Sequence, residues 1–180
     1  MRLFTYGHGT ADEATFAARL EAAGVTSIVD VRRFPGSRRW PWFAADAMTK
    51  WLPAAGIAYV PAPELGGRRT PRPDSRNVAL RERGFRGYAD YMETGEFRAA
   101  FAHLVLEASE VPTAVVCSET LWWRCHRRLI SDAAELLAGL EVVHIVGKAL
   151  QRHKPTAGVR TEGESLVYDG AGPLFGAADG

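Results

Sequence analysis

Residues 2–31, RLFTYGHGTADEATFAARLEAAGVTSIVDV, read as one strand–helix–strand unit. The first piece, RLFTY (2–6), is short and apolar-rich and predicts a strand. GHGT then makes a turn, and Thr10 is placed to cap a helix over 11–23. Phe16, Leu20 and Ala23 recur at helical spacing there, and Gly24 closes the helix. TSIVDV (26–31) is β-branched and apolar, the composition of a strand buried on both faces.

The same alternation continues outward. RRFPGSRRWPWF (32–43) carries two prolines and a glycine and reads as a loop. A helix over about 44–55 follows, ended by Gly56, and IAYVP (57–61) is a third strand. Residues 62–85 are long, irregular and arginine-rich, and such loops in a compact domain are functional or disordered. Helices over about 86–93 and 95–109 carry Tyr88, Tyr91, Met92, Phe97, Phe101 and Leu104 toward a core. PTAVVC (112–117) is a fourth strand. A helix over about 124–138 presents Leu129, Ile130, Ala133, Leu136 and Leu137, and EVVHIV (141–146) is a fifth strand. The expected architecture is a three-layer α/β fold with a mostly parallel five-stranded sheet and helices on both faces. The boundaries are a single α/β domain over 1–150 and a partly irregular C-terminal extension over 151–180 with one further strand near SLVY.

Bulk properties agree. A chain of 180 residues with 47% hydrophobic content suits one globular domain. At that size roughly 70% of the unfolded surface is buried, so neither disulfide nor metal is needed for folding. The start, MRLFTYGHG, lacks a signal-peptide core, no apolar run reaches bilayer-spanning length, and two cysteines do not make a disulfide scaffold. A cytoplasmic protein with no membrane partner is expected. Net charge is +1, yet Arg32 to Arg86 holds twelve Lys/Arg against four Asp/Glu. That asymmetry suits a face for an anionic small molecule or nucleic acid; a solvated arginine-rich loop is the plainer reading.

Ligands of parallel α/β sheets sit just outside the carboxyl ends of the strands. That edge collects His8 after strand one, Asp30 and Arg32 after strand two, Gly66, Gly67 and Arg68 after strand three, and Cys117 and Glu119 after strand four. CSETLWWRCHRR (117–128) carries the densest chemistry. A thiol beside guanidinium groups or a helix N-terminus is activated as a nucleophile, and Glu119 is placed as an acid or base. Three readings stand. Cys117 or Cys125 is a nucleophile, or both form a redox pair. Alternatively, Cys117, Cys125 and His126 are soft metal ligands. Or the cysteines are core residues beside an anion site. No residue is assigned as a metal ligand, because Cys125 and His126, neighbours on a helix, would diverge by about 100°. Arg32, Arg38, Arg68, His126 and Arg127 are the candidate anion contacts, with Asp30 able to hold an arginine or a substrate hydroxyl. Trp40, Trp42 and Phe43 either stack a base or cap the core. ELGGR (64–68) matches no nucleotide motif, though its paired glycines allow close backbone approach. His8 is a candidate acid/base, and His144 reads as a core residue. The motifs assign no cofactor.

Taken together, TYGHGT (5–10), VDVRRFPGSRRWPWF (29–43), GIAYVPAPELGGRR (56–69), FRGYADYMETGEF (85–97), VVCSETLWWRCHRRLI (115–130) and VVHIVG (142–147) resemble the domain of unknown function 488 family. The resemblance runs from about residue 3 to 147. It implies a small bacterial-type α/β protein with Cys-x-Glu and Cys-His-Arg motifs. The chain departs from the family form at Arg33 and at Trp122-Trp123, both at the rim of the implied pocket.

The expected activity is an enzyme acting on a phosphorylated, nucleotide-like or nucleic-acid substrate through an arginine-rich anion pocket and a Cys/Glu centre. A binding module without chemistry and a metal-dependent enzyme with Cys/His ligands are the alternatives.

Overall fold

The computed structural model describes residues 1–36 and 39–171. β1 (Arg2–Gly7) leads through α1 (Glu13–Ala22) to β2 (Ser27–Asp30). The cap of α1 is Asp12, whose side chain accepts the Thr15 N–H at 2.7 Å, so the helix starts two residues after the expected capping position. A 3-10 turn (Pro41–Phe43) and α2 (Ala45–Ala54) precede β3 (Ala58–Pro61). A second 3-10 turn (Pro63–Leu65) opens the long connection to α3 (Arg83–Met92) and α4 (Gly95–Glu110). β4 (Thr113–Cys117), a third 3-10 turn (Trp122–Arg124), α5 (Arg127–Leu136) and β5 (Glu141–Val146) complete the pattern. β6 (Ala149–Arg152), β7 (Val159–Glu162) and β8 (Ser165–Tyr168) follow.

The main sheet has six strands in the order β3-β2-β4-β1-β5-β6. The first five are parallel; β6 returns antiparallel to β5, pairing Val146 with Ala149. β4 is buried at all five positions, which explains its run of apolar residues without alternation. Successive side chains alternate between the two layers of helices. Leu3, Val29, Val115 and Val142 pack with residues of α3, α4 and α5. Phe4, Ile28, Ala114 and Val143 pack with Phe16 and Leu20 of α1 and Met48 and Leu52 of α2. The fold is therefore the expected three-layer α/β arrangement, with a sixth strand, the exposed β6, added to the five expected. Among the described residues no helix is long and apolar enough to cross a membrane.

The irregular stretch between β3 and α3 is held by one buried carboxylate. Asp90 accepts from the Arg72 backbone N–H (2.8 Å), Ser75 Oγ (2.6 Å) and Asn77 Nδ2 (2.8 Å). Asn77 Oδ1 in turn accepts the Tyr168 N–H of β8 at 2.9 Å. Loop and C-terminal hairpin are thus tied to the same helix.

A second buried chain runs behind the sheet. Thr5 Oγ1 meets His144 Nδ1 at 2.7 Å, His144 Nε2 meets His153 Nδ1 at 2.9 Å, and His153 Nε2 meets Asp132 at 2.9 Å. Trp122 stacks on His144 with ring centroids 4.0 Å apart. Burial, then the neighbouring His153 and Arg127, lower the His144 pKa to about 3. The unfolded chain takes up a proton near pH 6.5 that the folded protein refuses until about pH 3. Acidification through that window therefore removes stability, by up to about 1.4 kcal/mol per pH unit, while above pH 6.5 the group contributes nothing. Unfolding free energies measured from pH 7.5 to 4 are expected to decline at least this steeply, since His8 is also held neutral. His144→Gln should flatten the slope by about one proton; an unchanged slope would show that His144 is not held neutral.

Candidate active site at the carboxyl edge of the sheet

Four segments converge at the carboxyl edge. β1 ends at Gly7 and delivers His8, whose N–H donates to the Cys117 carbonyl at 3.0 Å. β2 delivers Arg32 and Arg33, β4 ends at Cys117, and the 3-10 turn after β3 delivers Gly66, Gly67 and Arg68. Together with His126 they enclose a cavity of about 380 Å³, lined by His8, Arg32, Arg33, Phe34, Trp40, Gly67, Arg68, Cys117, Ser118 and His126 among others.

Each of these side chains is positioned by a specific contact. His8 stacks on Phe43 with centroids 4.0 Å apart. Its Nδ1–H donates to the Gly9 carbonyl at 3.1 Å, and its Nε2 accepts from Arg32 at 3.3 Å. Burial, and after it the Arg32 charge, lower the His8 pKa to about 4, so the ring is neutral. Arg32 is buried, and every guanidinium N–H has a protein acceptor. Nε and one terminal nitrogen clamp Asp30 at 2.8 and 2.6 Å. The remaining donors reach Phe43 O (2.7 Å), Met48 Sδ (3.0 Å) and His8. Asp30 also accepts from Tyr59 Oη at 2.8 Å, and it does not line the cavity. The Asp30–Arg32 pair is therefore part of the wall, with its fork turned inward, and it presents the cavity with charge but no spare N–H.

The exposed cations at the mouth are Arg33 and Arg68. Arg33 donates to the Arg68 carbonyl at 3.3 Å. Arg68 has φ 61°, the one non-glycine residue in the left-handed region among those described, a strained conformation of the kind found at ligand-binding loops. Arg33 was not among the sequence candidates, although it directly follows the DVR piece. Phe34, two-thirds exposed, and Trp40 add aromatic surface to the rim. Arg38 lies outside the described residues.

Three groups meet at the floor, Cys117 and His126 on the cavity side and Cys125 just behind them. The donor atoms of Cys117, Cys125 and His126 all lie within 4.8 Å of one another. Cys125 Sγ stands 3.6 Å from His126 Nδ1. The expectation that these neighbours diverge fails for a local reason: the helix starts at Arg127, not 124. Cys125 is extended (φ −122°, ψ 151°) and His126 is the first helical-like residue (φ −59°, ψ −17°). Both side chains therefore reach the same point. His126 Nε2–H donates to the Val31 carbonyl at 3.3 Å, which leaves Nδ1 bare toward the sulfurs. Gly67 is pressed against this ring; a Cβ there would sit 2.9 Å from Nδ1. Gly66 is as tight, since its Cβ would fall 2.7 Å from both the Arg33 side chain and the Pro63 carbonyl. Close approach, not turn geometry, is what the paired glycines supply.

Arg127 lies beneath the floor, 1% exposed. It donates to the Glu119 carbonyl and, through Nε, to Cys125 Sγ at 3.4 Å. Among the described residues no carboxylate lies within 4.0 Å of it. A Cβ on Gly7 would collide with the same Glu119 carbonyl. The hydrogen bond from Cys117, and then the Arg127 charge, lower the Cys125 pKa to about 6 against the effect of burial. The same bond and burial push the Cys117 thiol up. His126 is lowered by burial.

Glu119 takes a different part from the one expected. Its carboxylate is exposed, accepts the Leu121 N–H at 3.2 Å and does not line the cavity; its main-chain carbonyl is what holds Arg127. Glu119 is adjacent to the site in sequence but not in side-chain placement.

The model of the family described as "Domain of unknown function DUF488" matches residues 12–134. The chain belongs to this family. The DUF488 span contains Arg32, Gly66, Gly67, Arg68, Cys117, Cys125 and His126, whereas His8 and the strands from β5 onward lie outside it. No curated protein and no solved structure matches the chain.

Proposed function

We propose that the cavity is the active site of an enzyme acting on a small phosphorylated, nucleotide-like molecule. The observation that carries this reading is the convergence of Arg33 and Arg68 at the mouth with Cys117 and His126 at the floor of one cavity. The two exposed guanidinium groups suit a phosphate, which takes bidentate, charge-assisted hydrogen bonds. Phe34 and Trp40 on the rim suit a flat ring stacked beside it. A volume of about 380 Å³ belongs to the small end of ligand pockets and favours a mononucleotide over a polymer. Cys117 is the sulfur that faces the ligand, and Arg32 adds positive charge from the wall.

Calorimetric titration of a nucleoside monophosphate, with inorganic phosphate as the minimal probe, is the direct test. Binding of the nucleotide is expected, tighter than phosphate and weakened by salt. The double variant Arg33→Met/Arg68→Asn should lose at least about tenfold in affinity, since each charge-assisted bond contributes roughly 1.5–3 kcal/mol; Asn tolerates the left-handed backbone at 68. Equal affinity in that variant, or no binding at all, would remove the reading. Preference for an oligonucleotide over the mononucleotide would instead favour a nucleic-acid binding module.

A further inference from the structure

We propose that Cys117, Cys125 and His126 form a three-ligand site for a thiophilic divalent cation of the zinc class, with the fourth coordination position open to the cavity. The inference deepens the reading of the cavity as an active site and rests on it for the use made of the open position.

Four observations carry it. The donor set is two thiols and one imidazole nitrogen, gathered within 4.8 Å. Such a set is selective for zinc-like ions, and three protein ligands with one vacant position is the pattern of catalytic rather than structural sites. Distance fits as well: a sulfur and a nitrogen bound to one tetrahedral ion at about 2.3 and 2.0 Å stand about 3.5 Å apart. Cys125 Sγ and His126 Nδ1 are already at 3.6 Å, so only small side-chain rotations are needed to close the triangle on an ion.

The imidazole is also oriented as a ligand. Metal-bound histidines donate their other ring N–H to a carbonyl or carboxylate, which fixes the tautomer. His126 does this through Nε2 to Val31 O, and its unprotonated Nδ1 is the atom that meets the Cys125 sulfur.

Charge balance points to the same ion. Arg127 is a buried cation that donates to Cys125 Sγ and has no carboxylate partner among the described residues. With the ion bound both sulfurs are thiolates, so together they neutralise the divalent ion. Arg127 then leaves one net positive charge at the floor, which a single anionic fourth ligand cancels. Cys117 and His126 line the cavity while Cys125 does not, so that ligand enters from the cavity side, where a phosphate or a hydroxide fits.

The test uses the reduced full-length chain, stripped with a chelator and titrated with Co²⁺, then Zn²⁺. Expected are one cobalt per chain, thiolate-to-cobalt charge-transfer absorption in the near ultraviolet, intense tetrahedral d–d bands, and bleaching by one equivalent of zinc. Cys117→Ser/Cys125→Ser should abolish the charge-transfer band. His126→Gln should keep part of it and weaken zinc binding by at least about 100-fold, measured against a competing chelator. Circular dichroism of each variant confirms that it is folded; if the double cysteine variant is not, His126→Gln alone decides.

No cobalt uptake at equimolar concentration, or charge-transfer and affinity unchanged in the variants, would overturn the site. Rapid closure of a Cys117–Cys125 disulfide that added zinc does not prevent would overturn it too. A cobalt spectrum that ignores added nucleoside monophosphate would keep the metal site and count against the proposed substrate. Nucleotide binding without cobalt uptake would do the reverse.

Discussion

Replacing Asp132 with alanine is expected to destabilise the protein by about 3–5 kcal/mol, the usual cost of removing one partner from a buried charged network. The melting temperature should fall by roughly 10 °C for a chain of this length. Asp132 lies on α5 and is fully buried. Its carboxylate accepts from His153 Nε2 (2.9 Å), the Thr156 N–H (2.9 Å) and Tyr168 Oη (3.0 Å). Through His153 it reaches His144 and Thr5. One side chain therefore fastens the segment after β6 and the end of β8 to α5, β1 and β5. Alanine strands three buried donors, each costing about 1–3 kcal/mol unless water enters. Tyr168→Phe removes only one donor and leaves the carboxylate two others, so about 1 kcal/mol is expected. Chemical denaturation of both variants provides the comparison. If Asp132→Ala came within 1 kcal/mol of the parent, the network would not be what holds the C-terminal hairpin.

Little of that network is legible in the sequence. His153 sits in a stretch without periodicity, and Asp132 looks like an ordinary polar residue between the apolar positions of its helix. The strand–helix alternation was legible because β2, β4 and β5 are buried on both faces, which forces β-branched runs. β6 was missed for the opposite reason. ALQR is exposed at all four positions, so no hydrophobic pattern marks it; its strand character comes from pairing with β5 across Gly147–Lys148.

The candidate site divides in the same way. The rule that ligands lie at strand carboxyl ends points to His8, Arg32, Gly67, Arg68 and Cys117, and these do line one cavity. What spacing cannot reveal is which atom of a residue faces inward. Glu119 contributes a carbonyl where a carboxylate was expected. Arg32 looks like an open anion fork until its five donors are counted. Cys125 and His126 appear to diverge only while residue 125 is taken as helical, a boundary error of three residues that reverses the chemical conclusion.

Asp30→Ala should be as damaging as the Asp132 change, about 3–5 kcal/mol, and it separates two roles for Arg32. Asp30 is 1% exposed and accepts from Arg32 Nε, a terminal Arg32 nitrogen, the Arg32 backbone N–H at 3.1 Å and Tyr59 Oη. Burial opposes the Arg32 charge, and Asp30 more than offsets it, leaving the guanidinium pKa raised. Without Asp30 that cation stays buried with only Phe43 O, Met48 Sδ and His8 as acceptors. The double variant Asp30→Ala/Arg32→Met removes both charges and should recover a large part of the loss, so the cycle measures a coupling of several kcal/mol. Nucleotide affinity gives the second readout. Because every Arg32 N–H is already taken, the folded double variant should lose less than about tenfold, a through-space charge effect at effective dielectric near 20. Arg33→Met/Arg68→Asn should lose more. If Arg32→Met alone left stability intact while nucleotide binding disappeared, Arg32 would be a ligand fork after all, and the wall assigned to it would have to open.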